Sequence, residues 1–316
     1  MVKILLLALC ALALPAGAQD YPNKPIRVII PYAAGGGNDI IVRVISPEMT
    51  KGLGQPLVIE NKPGAQGIIA AEAVAKSAPD GYTILMGPSG PMTINPATYS
   101  KLPYDPVHDF APISLICQFP LLVTVNANAP IHSVKELIDY AKANPEKANY
   151  ASSAGIFQVT TELFKQRTGS NFVMIPYKSS GESVQAVLSG QVMVAIVDPP
   201  PASGPLKGGR LRALAVTSGK RHPSWPDVPT MAEAGVPDME VPVWTAFFAP
   251  AKTPAAIIAR MQSEVARAVQ TPEVKQRFAE MGLDPVGSSP QELGAIVARD
   301  IAKYSGVAKA ANIKND

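Results

Sequence analysis

The segment Pro31-Tyr32-Ala33-Ala34-Gly35-Gly36-Gly37-Asn38-Asp39 joins a short apolar run to the start of a helical pattern. Three consecutive glycines let the backbone approach a ligand closely and adopt positive φ. A helix start presents unpaired N–H groups and a partial positive charge. Together these features make an anion site that needs no cationic side chain. The same residues also suit a tight strand-to-helix turn with no ligand. The P-loop ending Gly-Lys-Ser/Thr and the dinucleotide spacing are both missing, which argues against nucleotides. Asp39 reads as a first-turn residue favoured by the helix dipole, and beside an anion its role would be to orient the loop or a water. Tyr32 suits a pocket wall or a partly exposed surface position.

A second junction of this kind is Tyr150-Ala151-Ser152-Ser153-Ala154-Gly155. Its small residues and two hydroxyls offer donors just before a helix, or form an ordinary turn. Two further loops end strands: Gly87-Pro88-Ser89-Gly90 and Asp198-Pro199-Pro200-Pro201. Each could line a cleft or act as a stiff turn. Enzyme chemistry finds little footing. The three histidines, His108, His132 and His222, sit near no nucleophile motif. There is no Gly-x-Ser-x-Gly elbow, no His-Glu-x-x-His and no cysteine–histidine cluster for zinc. Neither a metal nor a cofactor is expected.

These loops need a scaffold. Apolar runs predict strands over 26–30, 56–61 and 83–86, with helices from Asn38 and over 68–76. Ser46-Pro47 predicts a kink or restart of the first helix. After a proline-rich region over 88–112, strands are expected over 121–125, 148–152, 172–175, 192–197 and 211–217. Helices over 134–143, 159–167 and 181–188 alternate with them, the first opened by the capping box Ser133-Val134-Lys135-Glu136. A strand over 243–249 then precedes a helical tail over 254–269, 272–281 and 290–303. Alternating strands and helices imply mostly parallel sheets covered by helices. Two such α/β units suggest a hinged clamshell, with the chain crossing near 119–123 and returning near 240–243. Ligand would lie between the units, beyond the carboxyl ends of the strands.

The N-terminus reads as a secretory signal: Lys3, an apolar run over 4–14, then Pro15 and Ala16-Gly17-Ala18. Cleavage is expected after Ala18, leaving a periplasmic protein. The run is too short to span a bilayer, which takes about 20 residues. Lipidation at Cys10 is a minor alternative. The remaining cysteine, Cys117, cannot form an internal disulfide alone. An apolar share of 47% over 316 residues can supply cores for two domains instead. The formal charge of +3 is scattered without a basic block, which argues against nucleic acid.

At these loops the chain resembles the substrate-binding proteins of tripartite tricarboxylate transporters, known as Bug receptors. The residues that carry the resemblance are Tyr21-Pro22-Asn23-Lys24-Pro25, Pro31 to Asp39, Leu53-Gly54-Gln55-Pro56 and Glu60-Asn61-Lys62-Pro63-Gly64-Ala65. Pro79-Asp80-Gly81-Tyr82-Thr83 and Phe248-Ala249-Pro250 continue it over nearly the whole mature chain. The resemblance implies a type II periplasmic-binding-protein fold. The implied organisation is a signal peptide 1–18, a first domain of 19–121 with 243–316, and a second domain of 122–242. It also implies a small organic carboxylate held by loop amides and waters. The first ligand loop falls on Ala33, Gly35, Gly36, Gly37, Asn38 and Asp39, with Tyr32 beside it. The second falls on Ser152, Ser153, Ala154 and Gly155, and Ser89 and Asp198 complete the expected lining. Relatives carry a longer second loop that ends in a histidine. Gln158 takes that place here, and Ile156-Phe157 would reshape the pocket for a larger or aromatic acid. The implied partners are the large and small membrane subunits of the transporter, and a monomer is expected. A loaded receptor that signals to a membrane sensor kinase is the alternative.

Overall fold

The computed structural model describes residues 21–311 and 314, so the expected signal peptide lies outside the described residues. Two separate sheets organise the chain. The first has six strands in the order β11-β4-β10-β3-β1-β2. These are β1 (Ile26–Ile30), β2 (Leu57–Asn61), β3 (Thr83–Pro88), β4 (Phe110–Phe119), β10 (Val243–Pro250) and β11 (Asp284–Pro285). The second sheet has five strands in the order β7-β6-β8-β5-β9. They are β5 (Leu122–Asn126), β6 (Asn149–Ser152), β7 (Val173–Pro176), β8 (Val194–Val197) and β9 (Leu211–Val216).

In both sheets the strands that deliver the glycine- and serine-rich loops are parallel. β1 runs parallel to β2 and β3, and β6 runs parallel to β7 and β8. Their carboxyl ends therefore open on one side, where the following helices begin. Those helices are α1 (Gly37–Leu53), α2 (Ile68–Ala75), α3 (Asn95–Thr98), α5 (Gly155–Thr168), α6 (Ser180–Leu188) and α7 (Pro199–Lys207), whereas α4 (Val134–Ala143) follows β5, which runs antiparallel to β8. The tail comprises α8 (Ala255–Gln270), α9 (Pro272–Glu280) and α10 (Pro290–Ala311). β10 returns from the second sheet to the first, antiparallel to both β3 and β4. All eight of its residues are buried, as befits a strand between two others and covered on both faces.

The chain crosses between the sheets twice. β4 ends at Phe119 and β5 begins at Leu122; the return leads into Val243. Thr217 ties the crossings together. Its hydroxyl accepts from the Leu121 N–H at 2.9 Å and donates to the Val241 carbonyl at 3.2 Å. Two adjacent, laced strands make a narrow connection between units.

Several elements depart from expectation. α1 continues through Pro47 with no restart. Ile41, Val42 and Ile45 before the proline and Met49 and Leu53 after it share one buried face, and that packing outweighs one lost hydrogen bond. The proline-rich region hid β4. Pro112 sits within that strand beside a register shift, where β11 does not reach, so its missing N–H breaks no ladder on that side. The segment after Asp198 is a helix rather than a stiff turn. Pro199, Pro200 and Pro201 fill its first turn, where N–H groups have no intrahelical partner anyway. α5 starts at Gly155, four residues ahead of the predicted 159, so Ile156, Phe157 and Gln158 are helical.

Candidate functional site

The β1–α1 loop is shaped by one left-handed residue, Gly35, at φ +80°. Gly36, at φ −78°, occupies the helix N-cap in extended backbone and brings no capping side chain. Asp39 holds this loop. Its Oδ2 accepts from the Gly35 N–H at 3.0 Å and from Arg43 Nε at 2.9 Å. Burial alone would raise the Asp39 carboxyl, but these bonds hold it below the usual range. Asn38 is pinned from the far side, its Oδ1 accepting from the Thr245 hydroxyl at 2.7 Å. The loop also touches the second unit directly. The Gly37 N–H donates to Ser180 Oγ at 3.2 Å, and the Ala33 N–H donates to the Lys178 carbonyl at 3.1 Å.

The β6–α5 loop faces it. Ala154 is the N-cap of α5 and, having no polar side chain, leaves the first-turn N–H groups of that helix uncapped by a side chain. β3 contributes Pro88, Ser89 and the wide turn Gly90–Ile94 that follows. Ser89 is fully buried and its Oγ has no partner among the described residues. Tyr32 reaches over this turn, so that a Cβ on Gly90 would lie 2.9 Å from its hydroxyl.

These parts enclose about 390 Å³ of empty space, mouth included. Eight of the predicted residues line it. Tyr32, Gly36, Gly37, Asn38 and Ser89 come from the first sheet's unit; Ser153, Ala154 and Asp198 come from the second. Six do not reach its wall. Ala33 bonds to Lys178 just ahead of α6, Gly35 abuts Gly181 in α6, and Asp39 acts on the loop from behind. Ser152 turns its hydroxyl to the Ala154 carbonyl at 3.4 Å, and Gly155 packs on Ile94 and Asn95. Gln158 lies a turn further along α5, half-buried.

The walls that sequence reading missed are Phe119 and Val243, from the two crossing strands, and Ser180. Phe119 and Val243 carry no local signal. Ser180 does: Ser179-Ser180-Gly181 is a third small, hydroxyl-rich junction between a strand and a helix. Ile156 and Phe157 give the cavity an apolar side. No lysine or arginine lines it among the described residues. Asp198 does, at 3% exposure. Burial pushes its carboxyl up to about 6, and a hydrogen bond from Ser180 draws it partly back.

Helix starts from both units thus meet at one enclosed space, that of α5 without a side-chain cap and that of α1 met by Ser180 from the other unit. Such a site accommodates a small anion without a cation, because N–H groups and dipoles supply the positive potential. Two α/β units, crossing strands between them and a cavity at their strand ends define a solute receptor of the periplasmic-binding-protein fold. Among such receptors the chain belongs to the tripartite tricarboxylate transporter receptor family, whose pattern matches residues 41–313. It is 36% identical over 311 residues to protein BugT of Bordetella pertussis, covering 98% of this chain and 95% of that one. The solved structure of the periplasmic binding protein BugD is similar, with a TM-score of 0.90, 30% identity, and 94% and 100% of the two chains covered. That of Rpa4515 from R. palustris with adipate has a TM-score of 0.89 and 36% identity, covering 93% of this chain and 99% of that one.

Proposed function

We propose that this chain is an extracytoplasmic receptor that captures a small organic carboxylate and delivers it to the large and small membrane subunits of a tripartite tricarboxylate transporter. The observation that carries the reading is the meeting of the α1 and α5 starts and the buried Ser89 hydroxyl at a cavity with no lysine or arginine on its wall among the described residues. An adipate-bound neighbour of the same family adds support. In this reading residues 19–121 with 243–316 form one domain and 122–242 the other, and they close on ligand about the Thr217-laced crossing. The ligand carboxylate takes the amide at Asn38 and those of the first turn of α5, with Ser89 and Ser153 as hydroxyl donors. Asp39 keeps the first loop in shape and does not touch the ligand. The receptor works in the periplasm after cleavage behind Ala18.

The test is calorimetry. A thermal-shift screen of mono-, di- and aromatic acids first finds an acid that stabilises the folded protein. Its primary amide is then compared with it. Each charge-assisted hydrogen bond lost should cost about 1.5–3 kcal/mol, which is roughly tenfold or more in affinity. Equal affinity for acid and amide would sink the reading.

A further inference from the structure

Asp198 is the acidic exception in a site otherwise built for anions. It stands at the N-cap of α7, where an aspartate ordinarily accepts hydrogen bonds from the second or third N–H of its own helix. Here those positions are Pro200 and Pro201, preceded by Pro199, and none has an N–H to give. The side chain therefore makes no capping bond. Three prolines in a row leave the carboxylate to face the cavity. It is 3% exposed, and its Oδ1 has no partner among the described residues. The other oxygen, Oδ2, leans on the start of α1, where a Cβ on Gly37 would lie only 1.7 Å away.

Buried carboxylate oxygens are rarely left without a donor, because desolvation then goes uncompensated. Among the described residues no lysine or arginine on the cavity wall can supply one. Ser180 and the residue's own backbone N–H contribute hydrogen bonds to the carboxylate group, and the Ser180 oxygen accepts from Gly37. The remaining acceptor, Oδ1, belongs to a side chain on the cavity wall and is left without a donor among the described residues. A solute with only carboxylate oxygens would set like charges side by side at that point, which is unfavourable in a buried site.

We propose that Asp198 is a specificity-determining residue, selecting carboxylates that carry a hydroxyl or ammonium donor near the carboxylate held by the helix starts. This deepens the carboxylate-receptor reading and rests on it. The donor meets Asp198 Oδ1, while Ile156, Phe157, Phe119 and Val243 cover the apolar body of the solute. Ionisation matters too. Burial raises the Asp198 carboxyl to about 6. Its charge reaches two titratable side chains, Tyr32 and Cys117, and burial pushes both upward, so they stay neutral. Selection for a donor is therefore strongest above pH 6 and weakens as Asp198 takes up its own proton below it.

The experiment measures the affinity of the mature protein for three matched triplets. They are succinate, malate and aspartate; glutarate, 2-hydroxyglutarate and glutamate; and phenylacetate, mandelate and phenylglycine. In at least one triplet the hydroxy or amino acid should bind tenfold or more tightly than the unsubstituted acid at pH 8. The preferred member tells which donor is read. Asp198→Asn should shrink that preference at least fivefold while melting no lower than wild type, and pH 5 should shrink it in wild type. Unsubstituted acids binding as tightly as their partners would overturn this inference alone, as would a preference that survives in Asp198→Asn. If none of the nine acids binds wild type, the carboxylate reading falls with it.

Discussion

Gly181→Ala should separate folding from closure. Gly181 lies in the first turn of α6, in ordinary helical backbone. A Cβ there would lie 2.4 Å from the Gly35 carbonyl oxygen and 3.0 Å from its carbon. Those atoms are backbone of the other unit, so no rotamer change relieves the clash. The seam must open by about 1 Å to restore ordinary van der Waals contact. That takes the Gly37–Ser180 and Ala33–Lys178 hydrogen bonds, now 3.2 and 3.1 Å, out of range. Each is worth about 0.5–1.5 kcal/mol net, so the closed form loses about 1–3 kcal/mol. Apparent affinity should fall by roughly 5- to 150-fold, because ligand must restore the lost population. The isolated fold moves the other way, since alanine favours helix over glycine by up to about 1 kcal/mol. Thermal melting without ligand should show an unchanged or higher midpoint, and calorimetry with an acid that saturates wild type should show the loss. A folded Gly181→Ala protein that binds that acid at wild-type affinity would refute the reasoning.

Solution scattering should record a smaller radius of gyration with a bound acid than without, as two units draw together; no change at saturation would count against closure. Intact-mass measurement of periplasmic protein should give a chain beginning at Gln19, and retention of residues 1–18 would contradict export by cleavage. Asp198→Asn should stabilise the ligand-free protein in a pH-dependent way. With a carboxyl near 6 against an ordinary value of about 3.9, the native state holds the extra proton between those limits. Wild-type stability contributed by this group therefore falls as pH rises through that window, by about 3 kcal/mol at most, and stays low above it. The melting-temperature gap in favour of Asp198→Asn should grow from pH 4 to 7; a gap independent of pH would show that Asp198 is not the buried acid described. Asp39 titrates with the opposite sign in both proteins, so the comparison removes it.

What the sequence reveals best is what local chemistry determines. The buried run Ile26–Ile30, the glycine loop after it and the capping serines Ser133 and Ser289 all act within a few residues, and each lies where the pattern places it. The same is true of the loop's internal brace: an aspartate four residues after Gly35 is spaced to take its N–H. β4 was illegible for an equally physical reason. Its proline is tolerated only because β11 is too short to reach Pro112 and a register shift lies beside it, and both are properties of strands more than a hundred residues away.

The cavity itself divides along that line. Gly36, Gly37, Ser153 and Ala154 announce themselves because a helix start following small residues is a local motif. Phe119 and Val243 do not, since their role comes from the two crossings running side by side. Asp198 stands between the cases. Read as a string, Asp-Pro-Pro-Pro is a stiff turn. Seen as the start of a helix, the same residues remove the helix N–H donors that an N-cap aspartate ordinarily uses. An N-cap residue with no N–H to cap is a polar group committed to something outside its own helix, and that something can be recognised without homologues. Here the helix delivers it, buried and one donor short, to the place where two units meet.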